Sequence, residues 1–150
     1  MEKTIAVHSL EETRTLAMKL AHLVQPQDVI TLDGDLGAGK TTFTQFFAKG
    51  LGITRIVNSP TFTIMKQYEG KFPFNHLDVY RLEDSVDDLG WDEIFFGDAV
   101  TIVEWSSIIN SELPQDRLMI HIARVAEEER AFTIRATGER SESLLKELIT

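Results

Sequence analysis

Apolar residues recur along the chain at two periods, and the switches between them mark the elements. Leu10, Leu16, Leu20, Leu23 and Val24 fall at helical spacing behind Ser9 and Glu12, a pair spaced as a capping box, and Pro26 closes that helix. A short strand over residues 4–7 precedes it. The apolar, β-branched run between Asp28 and Asp33 predicts a second strand, which ends in the glycine-rich stretch 34–40. Phe43, Phe46, Phe47 and Leu51 then return to helical spacing. Further strands are expected over residues 61–68, 74–80 and 100–104, with a helical segment over 86–96 before the last of these. Partial alternation over 117–125 and 131–136, on either side of Glu127, Glu128, Glu129 and Arg130, predicts a hairpin, and a terminal helix is expected from Ser141. Strands alternating with helices argue for an α/β fold, a mainly parallel sheet flanked by helices with an added C-terminal β-hairpin. There is no internal repeat and no Gly-, Pro- or Ser-rich linker, so a single domain over residues 1–150 is the simplest organisation.

Chemistry concentrates where the second strand meets the second helix. Residues 34–41 read G-D-L-G-A-G-K-T, a full match to the phosphate-loop pattern, which arises by chance about once in a few hundred chains of this length. Glycines let the backbone of Gly37, Ala38 and Gly39 turn its N–H groups towards phosphate oxygens, and the N-terminus of the following helix adds a favourable field. In such a loop Lys40 reaches the β and γ phosphates, the Thr41 hydroxyl ligates Mg²⁺, and Thr42 bonds the α phosphate. A bare strand-to-helix turn requires neither the lysine nor the hydroxyl. Hydrolysis needs a carboxylate as well, normally at the end of a neighbouring strand. Asp78 ends F-N-H-L-D and Glu104 ends A-V-T-I-V-E. A lone acid closing a buried strand is costly unless a cation or hydrogen bonds meet it, which makes Glu104 the better metal candidate.

Other residues carry weaker signals. Ser59, Pro60 and Thr61 read as a turn into a strand, with a loop sensing the γ phosphate as the sharper alternative. Arg81 suits charge stabilisation at a phosphoryl group and pairing with nearby acids equally well. His8, His22, His76 and His121 have no metal-ligand spacing and read as structural or solvent-facing. Trp91 and Trp105 read as packing residues, although Trp105 could also shield a nucleotide.

Composition narrows the partners. The chain has 15 Lys+Arg against 24 Asp+Glu, a formal net charge of -9, and it lacks the basic patch of a protein that grips nucleic acid by itself. Seven acids and no basic residue fall in 83–98 (Glu83, Asp84, Asp87, Asp88, Asp92, Glu93, Asp98), which reads first as a solvated helix face and second as an acidic docking surface. The absence of cysteine excludes a disulfide scaffold, an iron–sulfur site and a thiol nucleophile. With no run of about 18 apolar residues and no apolar leader, a cytoplasmic protein is expected.

GDLGAGKTT at 34–42, SPTF at 59–62, HLDVYRL at 76–82 and EW at 104–105, in that order in so short a chain, closely resemble the TsaE family. These are small bacterial ATPases required for the threonylcarbamoyladenosine modification of tRNA. The resemblance covers nearly the whole chain. It implies a P-loop NTPase fold in which Lys40, Thr41 and Thr42 hold ATP and Mg²⁺, Glu104 helps bind the metal, and Asp78 is the second acid. It also implies that Ser59, Pro60 and Thr61 form a switch-like loop and that Ser9 and Thr13 lie near the nucleotide. The family's poor ATPase activity alone and its work with TsaD, which transfers the threonylcarbamoyl group, and the TsaD paralogue TsaB imply those partners here. Ser106 and Ser107 depart from the proline or further acid that many relatives carry after the tryptophan. A P-loop small-molecule kinase is the main rival, but no cluster of arginines marks a lid. A GTPase is weaker, since no N-K-x-D motif occurs, and a nucleotide-gated binding module stays open.

Overall fold

A seven-stranded sheet in the order β1-β7-β6-β2-β5-β4-β3 organises the chain. The computed structural model describes residues 1–35, 37–55, 57, 65–79 and 90–150, without the side chains of residues 107 and 108. The strands are β1 (Glu2–Val7), β2 (Val29–Gly34), β3 (Met65–Glu69), β4 (Pro73–Asp78), β5 (Val100–Glu104), β6 (Leu118–Arg124) and β7 (Arg130–Ala136). The helices are α1 (Leu10–Leu23), α2 (Lys40–Gly50), α3 (Trp91–Phe96) and α4 (Glu139–Leu148), with a 3₁₀ segment over Ser106–Glu112.

Parallel pairing is confined to the centre, where β2 lies between β5 and β6, and β4 follows β5. Both margins are antiparallel: β3 on β4, and β7 between β6 and β1. The central strands are apolar on both faces because both are covered. On one face Ile30, Leu32, Phe74, Ile102 and Ile120 pack against Leu16 and Leu20 of α1, Phe43 and Phe47 of α2, and Leu144 and Leu145 of α4. On the other, Val29, Leu77 and Val103 meet Trp91, Phe95, Ile109 and Leu113. The period of two along each strand separates these sets and assigns the ends of the strands to a face.

Several boundaries differ from the sequence pattern. β1 starts at Glu2 because its ladder with β7 runs on to Glu2 opposite Arg135. Ser9 caps α1, accepting from the Glu12 N–H at 3.1 Å, but Glu12 returns its carboxylate to the N–H of His8 rather than of Ser9. The strand expected over 61–68 is described from Met65 onward, and the helix expected over 86–96 from Trp91. Gly90, at φ 80°, caps that helix and stands outside it, and residues 61–64 and 86–89, with four of the seven acids (Glu83, Asp84, Asp87, Asp88), lie outside the described residues.

α4 starts at Glu139, earlier than Ser141, because its free N–H groups are met from outside the helix. Asp116 accepts from Arg140 N–H at 2.8 Å and from Ser141 N–H at 2.9 Å, and Ser141 Oγ accepts from Gly138 N–H at 3.0 Å. A Cβ at Gly138 would overlap the Asp116 side chain. The Arg140 guanidinium then grips Asp28 through two bonds of 3.0 and 2.9 Å and the Leu23 carbonyl at 3.1 Å, tying α4 to the end of α1 and the entry to β2.

Desolvation raises the Asp116 pKa, but the hydrogen bonds from Ser141 and Arg140, with the Arg140 charge, outweigh it and hold the carboxyl below its ordinary value. A lowered carboxyl stabilises the fold fully above its unfolded pKa of about 3.9, and that contribution is lost as pH falls through the folded value. Asp116→Ala is therefore expected to cost about 1 kcal/mol at pH 7. Urea unfolding at stepped pH should show the penalty constant down to about pH 4 and shrinking below it.

Candidate functional site

The loop between β2 and α2 turns on glycines that no other residue would replace cheaply. Gly34 sits at φ 153°, where a Cβ would overlap the Ile122 carbonyl oxygen, and Gly39 caps α2 at φ 108°. Lys40, the first residue of α2, is buried, and its ammonium is folded onto the loop. Nζ donates to the Gly34 carbonyl at 2.5 Å and the Asp35 carbonyl at 3.2 Å, and stands 4.5 Å from the centre of the Trp105 ring. Thr41 and Thr42 follow in the first turn, both half-buried.

The parallel register brings the acids to this same rim. Leu32 lies opposite Glu104, and Asp78 lies opposite Glu104 from the other side. Alternation puts Glu104, Asp78 and His76 on the face that carries α1 and α2. Glu104 is 2% exposed and its Oε2 lies 2.5 Å from His76 Nε2. The chain after Glu104 turns sharply, with Trp105 in the left-handed region at φ 60°, a conformation costing on the order of 1–3 kcal/mol for a bulky residue. Ser106 helps to hold that turn: its N–H and hydroxyl donate to the Asp33 carboxylate at 2.9 and 2.6 Å, joining the end of β2 to the end of β5.

The other wall of the loop comes from α1 and the β6–β7 turn. Thr13, buried, shares with Leu10, Ala38, Gly39, Thr42, Glu128 and Arg130 a small cavity of about 30 Å³. Arg130 Nε donates to the Ala38 carbonyl at 2.7 Å, while Nη1 donates to the carbonyls of Ala126, Glu127 and Glu129. Glu128 accepts from Leu10 N–H at 3.2 Å and Glu129 meets His8 Nδ1 at 3.0 Å. The Glu129 hydrogen bond, helped by the Glu12 charge, raises the His8 pKa. A larger cavity of about 370 Å³ lies at the opposite end of the sheet, but Asp28, Arg140 and Asp116 around it already serve one another and the start of α4.

The structure thus gathers Lys40, Asp78 and Glu104 at one rim and sets Thr13 beside Ala38, Gly39 and Thr42. Gly37, at φ 79°, completes the turn. Ser9 serves as the cap of α1 and does not line the cavity. Ser59, Pro60, Thr61 and Arg81 lie outside the described residues. His76 is not solvent-facing: it is fully buried and bonded to Glu104. The H-x-D spacing on a strand signals that it shares a face with Asp78, whereas Ser106 and Arg130 carry no local signal. Among the described residues no group of three or more His, Asp or Glu could hold a metal by itself. The donors present, the Thr41 hydroxyl and the Glu104 carboxylate, are hard oxygens. They fit Mg²⁺, which is usually held by one or two protein groups together with phosphate and water.

The chain's similarity to known proteins bears on its family and its fold. Residues 7–132 match the family model of "Threonylcarbamoyl adenosine biosynthesis protein TsaE". The chain is 57% identical over 139 residues to the tRNA threonylcarbamoyladenosine biosynthesis protein TsaE of Bacillus subtilis, covering 92% of this chain and 88% of that one. It is 40% identical to the TsaE protein of Streptomyces coelicolor, covering 85% of this chain and 92% of the other. Its fold superposes on the crystal structure of Bacillus subtilis YdiB with a TM-score of 0.87 and 47% identity, over 99% of this chain and 95% of that chain.

Arg130→Ala removes the tie between the loop and the hairpin turn. Hydrogen exchange at the Gly39 and Lys40 amides should quicken, while urea unfolding shows a loss of at least about 1.5 kcal/mol, the lower end for one hydrogen bond from a charged group, since the Nη1 bonds to the turn are lost with it.

Proposed function

The chain belongs to the TsaE family of tRNA threonylcarbamoyladenosine biosynthesis proteins, and from that premise we propose that it is the pathway's Mg²⁺-dependent ATPase, working with TsaD and TsaB. The observation that carries this reading is the rim itself: a glycine-turned loop with Lys40 at the head of α2, facing the Asp78–Glu104 register pair.

The N–H groups of the first turn of α2 and its positive end attract phosphate. Phosphate oxygens, being charged, out-compete the neutral Gly34 and Asp35 carbonyls for the Lys40 ammonium, which the loop keeps close by. Thr42, beside Thr13 and the Ala38–Gly39 backbone, takes the α-phosphate side. Thr41 and Glu104 are the groups that hold Mg²⁺, which when bound neutralises charge on the β and γ oxygens. Asp78, half-buried beside Glu104, is assigned to the attacking water and receives its proton as the γ phosphoryl group leaves ADP. Trp105 stands over Lys40, and the Ser106–Asp33 bonds hold the turn that places it there.

Charge and arginine placement support the family role over a kinase. At a net charge of -9 the chain is a poor tRNA ligand by itself, which leaves RNA contact to the partners. Arg117, Arg130 and Arg140 are engaged in structural bonds and do not converge on a lid. No described helix is long and apolar enough to cross a membrane.

Phosphate release from Mg²⁺·ATP, measured alone and with TsaD plus TsaB, tests the reading. Slow release that rises strongly with both partners is expected. Lys40→Ala should weaken ATP binding by about 10-fold or more, the scale of a charged hydrogen bond. Glu104→Ala should abolish Mg²⁺-dependent turnover with the fold intact. Transfer of phosphate to an added small molecule, with no response to the partners, contradicts the proposal and restores the kinase.

A further inference from the structure

His76 is polar and has no solvent exposure, on a strand whose neighbours Phe74 and Leu77 are equally buried. Its Nε2 lies 2.5 Å from Glu104 Oε2, and its Nδ1 is buried with no hydrogen-bond partner among the described residues. These two facts favour one placement of the ring hydrogen. A hydrogen on Nδ1 would be a buried donor left unmade, whereas a bare Nδ1 leaves only an acceptor lone pair, the less costly orphan. Nε2–H is thus the donor to the Glu104 carboxylate.

The ring has its own support. It lies nearly parallel to Phe74, with centroids 6.2 Å apart and planes 7° apart, and Phe74 in turn meets Phe47 of α2 at 5.6 Å. A packed chain of rings thus runs from the helix that carries Lys40 to the carboxylate at the end of β5.

We propose that His76 is a positioning residue for Mg²⁺: its Nε2–H takes up one Glu104 oxygen and fixes the carboxylate orientation, leaving the remaining acceptor capacity for the cation. The inference rests on the proposed Mg²⁺·nucleotide site. It assigns His76 the outer-shell part that tunes a metal ligand, where loss of such a partner typically costs about 10–100-fold in metal affinity.

Two substitutions separate positioning from packing. The amide nitrogen of His76→Gln reaches the place of Nε2, whereas that of His76→Asn reaches only the place of Nδ1. On the full chain, binding of a fluorescent ADP analogue is titrated in EDTA and against Mg²⁺. The expected result is that metal-free ADP affinity stays within about twofold in both variants. The Mg²⁺ concentration giving half the metal-dependent gain should rise about 10–100-fold in His76→Asn and return to within about threefold of wild type in His76→Gln. An unchanged Mg²⁺ dependence in His76→Asn overturns the proposal, as does an equal shift in both variants or a loss of metal-free binding in both. A wild-type chain whose ADP affinity ignores Mg²⁺ removes the metal site itself, and this inference with it. Ring ¹⁵N shifts of the wild-type protein test the tautomer without any variant: Nδ1 is expected to be unprotonated, and a protonated Nδ1 overturns the assignment.

Discussion

A carboxylate buried at the end of a central strand costs several kcal/mol unless its charge is met, and Glu104 is such a carboxylate, 2% exposed on the middle of the sheet. Much of the site follows from how that charge is met. His76 must lie on the same face of the neighbouring strand, so β4 and β5 must be parallel and in register. The loop carrying Lys40 must end β2 on the other side, so β2 must flank β5. These pairings bring the C-terminal ends of three strands to one rim, where backbone N–H groups, an ammonium and hard oxygen donors can meet a phosphate chain.

The antiparallel margins serve the same rim by another route. Because β6 runs parallel to β2, its C-terminal end emerges beside the phosphate loop, and the turn into β7 folds back over it. Arg130 thereby reaches the Ala38 carbonyl, and Glu128 and Glu129 reach the start of α1. The hairpin is an integral wall of the site. At the opposite end of the sheet the charges do structural work, Asp28 holding Arg140 and Asp116 starting α4.

What could be read from the sequence is what local periodicity carries. The glycine-rich loop, Lys40 and the two acids at strand ends follow from short-range patterns, as do the seven strands, each of which falls wholly or partly where the sequence pattern placed it, β3 included. Pairings between distant residues leave no such trace. His76 meets Glu104 across 28 positions, Ser106 meets Asp33 across 73, and Arg130 meets Ala38 across 92. The early start of α4 was hidden for the same reason, since its cap, Asp116, lies 24 residues before Arg140. Ser106 shows how such a pairing changes a reading. As a departure from relatives it suggests a lost acid, yet in the fold it supplies the two bonds that brace the left-handed Trp105.

The central claim is that β2, β4 and β5 end in one Mg²⁺·nucleotide site. Replacing Mg²⁺ with paramagnetic Mn²⁺ in the presence of ADP, on ¹⁵N-labelled protein, tests it most directly. The account predicts that amide signals of Lys40 to Thr42, Asp78, Glu104 and Trp105 broaden first, with those of Asp28, Asp116 and Arg140 at the far end preserved. Broadening centred on that far end, or spread evenly over the acidic surface, would contradict it.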